Sequence, residues 1–565
     1  KFHGLCTMAP GVAFPEAAAA ARAAAQPVGS NSFVAAKSRH QQFLQLPLQR
    51  RSKRPLQLAA GVLAVLFACG WHSSLAPSES RLKDVAWAPA GLAATLPGSG
   101  GRAQVSSEEE ENPADQGVSV SALGTAALIA VGVVSYGGAW RSATALQTKE
   151  AAEGEPVSSG QAKKKPRIDA FDSIRFFLIA YIASGHFIHT ATMNAFLLKL
   201  VTQINVVVGA FFVLSGYVAA YTTTELGERK GSKRLDNAVE FAVSRIMGLW
   251  PLHLVVLLLF SPMFVWVDAT FSGPFIAAWH AFLSVTMLQS WFPLSAEIWN
   301  APTWFLSAYA FCLCVLPYAL RVLAVQKKAE LRRTLVFLTL SSLIVKVGYS
   351  YDLKAWDIME GTLNARTHPN YMLFNTIRFS PFGAVLEVLM GAAACRLVML
   401  DKEGDAGSTG SPLGPLVFMF GLLILRAAGV IALNDLLVRT VFFIPQWIVF
   451  LMRIHRQSVG PGGAQKILPK VLCKPLFTFL GGVSFPIFIV HGPIGQVFYK
   501  KAVAAKLFGA TFSNPQPGGI DWFFGVYWAV VIVAAVVLQK AFVDNARVKS
   551  ASAALSASIV KKLTS

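Results

Sequence analysis

Three residues that seldom belong in an apolar run, Asp172, Arg175 and His186, lie within the segment from Phe171 to His186. Ionisable groups in membrane-length segments are costly and mark functional sites. Arg175 and His186 are eleven positions apart. On a helix that is three turns plus about 20°, so both fall on one stripe, roughly 16 Å apart along the axis. An imidazole with an ordinary pKa of about 6.5 takes up a proton near neutral pH, the task of a general base. Two such groups on one face point to an internal cavity. The plainer alternative is that Arg175 snorkels to headgroups and His186 bonds a neighbouring helix.

Other ionisable residues are placed similarly. His491 ends an apolar run just before Gly492-Pro493, and Arg378 and Glu387, nine apart, share a helical face, where an intrahelical or interhelical ion pair is the default reading and pocket lining the alternative. His189 and His253 sit toward span ends, and His280 lies in a shorter apolar stretch. No Cys or His spacing suggests a metal, and the six cysteines form no disulfide framework.

The elements that must hold these groups are membrane helices. Of 565 residues, 54% are hydrophobic and 14% charged, against roughly a quarter charged in soluble domains. Apolar runs of about 20 residues, enough to cross some 30 Å of hydrocarbon, alternate with short charge clusters. A lipid-exposed backbone must satisfy itself, which makes the fold all-α, a polytopic transmembrane bundle. The spans are expected near 171–190, 203–224, 243–263, 302–322, 334–350, 371–397, 412–432, 434–452, 474–499 and 520–543. The net charge of +20 is a topology signal rather than a nucleic-acid one, because Lys and Arg sit in short loops. The clusters at 163–165, 229–234, 321–333, 396–402, 453–456 and beyond Arg547 share the cytosolic side only if 273–291 is re-entrant. That gives about ten crossings, with 546–565 a cytosolic tail; the Lys500-Lys501 loop falls on the other side.

Residues 1–165 form a separate region. The first 78 are Ala-rich with a single acidic residue, Glu16, a bias resembling an organellar presequence. Stretches 56–71 and 118–140 are further apolar helix candidates, and residues 141–166 read as a polar linker. This bias places the protein in a eukaryotic organelle or endomembrane.

Phe211-Phe212-Val213-Leu214-Ser215-Gly216 follows the Asp172, Arg175, His186 span. Leu288-Gln289-Ser290-Trp291 precedes Pro302-Thr303-Trp304-Phe305-Leu306-Ser307, and Val483-Ser484-Phe485-Pro486-Ile487-Phe488-Ile489-Val490-His491 comes late. In this order the motifs resemble the type 3 family of integral-membrane acyltransferases, best known for bacterial enzymes that O-acetylate surface polysaccharides. The resemblance covers roughly residues 168–543. Two features depart from it. The family's arginine cluster after the second span is reduced to Arg245, and its Glu after the Trp-Ser-Leu-Ser region is replaced by Ala308-Tyr309-Ala310.

The resemblance implies acyl-CoA as donor and a hydroxyl of a carbohydrate or lipid-linked acceptor. It implies His186 as the base, with Arg175 holding the CoA phosphates or orienting the thioester. Asp172, Ser215, Arg245, Trp304, Ser307 and His491 would line the cavity. With no Gly-x-Ser-x-Gly elbow and no Cys/His pairing, transfer would be direct. Ten crossings with buried Arg, His and Glu also suit a transporter or channel, and an inactive relative would leave a similar trace.

Overall fold

A computed structural model describes residues 165–359, 368–401, 410–459 and 466–565; the apolar stretches 56–71 and 118–140 and the presequence-like region lie outside them. The main helices are α1 (Ala170–Phe187), α2 (Ile204–Thr223), α3 (Ala238–Phe271), α4 (Pro274–Thr286), α5 (Trp304–Val325) and α6 (Lys328–Asp352). They continue as α7 (Pro381–Met399), α8 (Leu413–Ala427), α9 (Asp435–Val459, with a π-turn at Arg439–Phe443) and α10 (Pro475–Gly482). The last three are α11 (Ser484–Tyr499), α12 (Phe523–Leu538) and α13 (Ala546–Thr564). Among the described residues β-structure is limited to two isolated bridges.

Among the described residues eight helices are long and apolar enough to cross a membrane, and a ninth crossing follows if α10 and α11, bent by 61°, form one span. The difference from ten lies at α8. It has 15 residues, about 22 Å of helix against some 30 Å of hydrocarbon. Helix α4 has 13 residues, in keeping with a segment at 273–291 that enters without crossing. The C-terminal residues form a helix: α13 packs along α3, and Ser552 Oγ donates to the Met247 carbonyl at 2.9 Å.

The helix starts are written in short polar residues. Asn237 caps α3, Ser380 caps α7 ahead of Pro381, and Asn434 caps α9, each side chain accepting a first-turn N–H. The tightest packing joins α2 to α7. A Cβ on Gly216 would lie 1.8 Å from the Val388 carbonyl oxygen, and one on Gly391 the same distance from that of Val213. Two glycines thus let the backbones touch, the membrane substitute for a hydrophobic driving force. Gly391→Val is therefore expected to separate the helices at a cost of about 1–3 kcal/mol or more. Thermal unfolding followed by fluorescence-detected size exclusion checks this; an unchanged midpoint would refute the packing argument.

Charge is buried in this part of the bundle. Glu387 on α7 is bonded by Arg439 of α9 and lies 3.4 Å from Lys346 Nζ on α6, which also donates to Thr440 Oγ1 at 2.6 Å. Arg426 on α8 donates to Asp435 at 2.7 Å and to Gln203 at 2.6 Å. Every one of these charges therefore has a partner, the condition for a tolerable intramembrane ion.

Candidate active site

Helix α1 delivers Arg175 and His186 to the same cavity, as their spacing requires. The cavity has a volume of about 200 Å³, and Asn205, Ser215, Trp304, Phe305, Tyr309, Arg378 and Phe488 also line it. Arg175 remains 41% exposed and is held by Asp172, which also accepts from Arg167 at 2.6 Å. Asp172 thus stands behind the wall and aims Arg175.

His186 Nδ1 lies 3.1 Å from His491 Nε2, and the two rings stack with centroids 5.3 Å apart. His491, fully buried, places its Nδ1 3.2 Å from the Ile487 carbonyl. A carbonyl only accepts, so His491 carries its proton on Nδ1 and offers a lone pair at Nε2. His186 must then donate from Nδ1, which leaves its Nε2 lone pair without a partner among the described residues. The chain Ile487–His491–His186 fixes the tautomer of the His186 ring.

Glycine and proline make this meeting feasible. A Cβ on Gly495 would fall 2.2 Å from the Phe187 ring, and one on Gly185 would fall 2.5 Å from the Val201 carbonyl. Their absence lets α1 close on α11 and on the start of α2. Pro493 within α11 lacks an N–H, so the Ile489 carbonyl has no proton from the next turn. Asn300 Nδ2 fills that place at 2.8 Å and draws the segment before α5 against α11.

Several expected cavity residues lie beside it instead. His491 stands behind His186, not on the cavity wall. Ser307 bonds Ser290, Oγ to Oγ at 2.7 Å, and anchors the turn at Gln289–Trp291. Arg245 packs over the Phe241 ring at 3.8 Å. His253 donates to the Ser284 carbonyl at 2.9 Å and ties α3 to α4, while His280 pairs with Asp268 at 2.9 Å.

Arg378 and Glu387 each form an ion pair with another element, the inter-element form of the expected pairing, and not with each other. Ser380 and Pro381 start a new helix after Tyr371–Arg378 within the span Tyr371–Met399, so the helical register is interrupted between the two residues. Arg378 instead pairs with Glu297 at 2.6 Å, packs over Phe379 and faces the cavity. Glu297 carried no signal in the sequence. Tyr309 stands where a family carboxylate is expected, and it lines the cavity together with Ser215.

A family model described as an acyltransferase domain matches residues 168–539. The chain belongs to the type 3 acyltransferase family. Acyltransferase MdmB of Streptomyces mycarofaciens is 27% identical over 157 residues, 26% of this chain and 38% of that protein. The match thus spans well under half of the curated relative's length. No solved structure matches. As a membrane acyltransferase, the chain needs a donor site, an acceptor site and a base between them. Among its described residues no cluster of three His, Cys, Asp or Glu side chains is set to hold a metal ion.

Proposed function

We propose that this acyltransferase moves a short acyl group, acetyl in the simplest case, from acyl-CoA to a hydroxyl of a carbohydrate or lipid-linked acceptor. The observation that carries the reading is the Ile487–His491–His186 chain, which presents one free imidazole nitrogen beside a largely apolar cavity. The acceptor O–H gives its proton to His186 Nε2, and its oxygen attacks the thioester carbonyl carbon. The tetrahedral intermediate collapses with cleavage of the C–S bond, and the departing thiolate is protonated by His186. His491 remains neutral and keeps the ring oriented. Apolar walls at Ile182, Val208, Phe305 and Phe488 exclude competing water.

Arg175, at the basic-flanked end of α1, supports donor binding at the charged end of acyl-CoA. The basic loops put that end in the cytosol by the positive-inside rule.

The test is acyl transfer from radiolabelled acetyl-CoA in membranes containing the full chain, across carbohydrate and lipid acceptors. Label in either fraction is the expected result; none across the panel, with folded protein present, sinks the reading. Arg175→Gln in the same assay is expected to raise the KM for acetyl-CoA about tenfold, the scale of one charge-assisted hydrogen bond. An unchanged KM would remove Arg175 from the donor site.

A further inference from the structure

His186 also borders a second, smaller cavity, lined by Phe187, Glu297, Ala301, Pro302, Gly492 and Gln496. Its volume is about 10 Å³, room for a single water-sized group. The free polar atoms around it are nearly all of one kind. Glu297 Oε1 is taken by Arg378, while Oε2 accepts from none of the described residues. Gln496 donates its Nε2 to the Trp299 carbonyl at 2.6 Å, which turns Oε1 outward as an acceptor. His186 Nε2 is a third acceptor. Asn300 Oδ1, on a residue 1% exposed, is buried with no donor, and a Cβ on Gly492 would sit 2.7 Å from it. Gly492 therefore keeps the space open beside an unpaired acceptor.

A pocket of acceptors the size of one oxygen atom calls for a donor of that size, and unmet buried acceptors are costly until it arrives. The Arg378 guanidinium offsets the charge of Glu297, so the complement is a neutral O–H rather than a cation. We infer that Glu297 and Gln496 form the acceptor-hydroxyl subsite, gripping a hydroxyl of the acceptor beside the one His186 deprotonates. The acceptor class is then a molecule with neighbouring hydroxyls, a polyol or sugar, rather than a simple monohydric alcohol. This rests on the acyl-transfer reading.

Glycerol serves as the hydroxyl probe, with the full-length chain in lipid nanodiscs and labelled acetyl-CoA as donor. Glycerol ester and free acetate, the product of water acting as acceptor, are measured together. Glu297→Gln and Gln496→Leu are each expected to raise the KM for glycerol about tenfold and to lower the ester-to-acetate ratio by a similar factor. Glu297→Asp is expected to restore part of the ratio. The subsite is overturned if both products fall in proportion with the glycerol KM unchanged, the outcome for residues that merely hold the fold. A wild-type chain that yields neither product overturns the acyl-transfer reading itself, and the subsite with it.

Discussion

His186→Ala is expected to lower acyl transfer by about 10²–10⁴-fold at equal expression, the usual worth of a positioned general base. His186 packs at the end of α1 and is partly open to the cavity, so its truncation should leave folding intact. His491→Phe separates base from orienting group. It keeps an aromatic ring stacked on His186 but removes the Nε2 acceptor that holds the His186 proton on Nδ1. The expected loss is smaller, about 10-fold or more, with the KM for acetyl-CoA unmoved. Steady-state rates in purified membranes check both. Full activity in His186→Ala would dismiss the base, and full activity in His491→Phe would dismiss the relay.

The second large effect concerns folding. Glu387→Leu leaves Lys346 and Arg439 facing each other in the bundle without their shared carboxylate. Removing one partner of a buried ionic cluster costs about 3–5 kcal/mol, a large share of a typical stability of 5–15 kcal/mol. The variant is expected to lose its monodisperse peak in detergent. Lys346→Met, Glu387→Leu and Arg439→Met combined are expected to recover much of it, because a matched apolar cluster needs no counter-charge. A single variant that melts with the wild type would show that this network adds nothing to stability.

The membrane class was legible because period and length are local properties: a run of 20 apolar residues reads the same in any fold. The shared stripe of Arg175 and His186 was legible for the same reason, since both lie on one unbroken helix. The helix break at Ser380-Pro381 was present in the sequence, but the apolar flanks concealed it, and spacing alone did not name Glu297 or Arg439 as the partners that Arg378 and Glu387 take. The small cavity was not legible at all. Glu297, Asn300 and Gln496 converge only because Pro493 frees a carbonyl in α11 and Gly492 and Gly495 leave room, and such long-range meetings have no spacing rule. His491 was singled out from its motif, yet its place behind His186 comes from a contact between α1 and α11 some 300 residues apart, which no local spacing encodes.

The buried charges also set an order of manufacture. Glu387 follows Lys346 by 41 residues but precedes Arg439 by 52. At synthesis rates of about 5–20 residues per second, that second partner arrives roughly 3–10 s later. Until then the Glu387 carboxylate on α7 has only Lys346 of α6 as its partner. Arg426 leads Asp435 by nine residues, and α8, too short to span comfortably alone, gains its counter-ion almost as soon as it emerges. The ion pairs thus differ in reach along the chain: one closes within nine residues, while the other joins three helices over more than ninety.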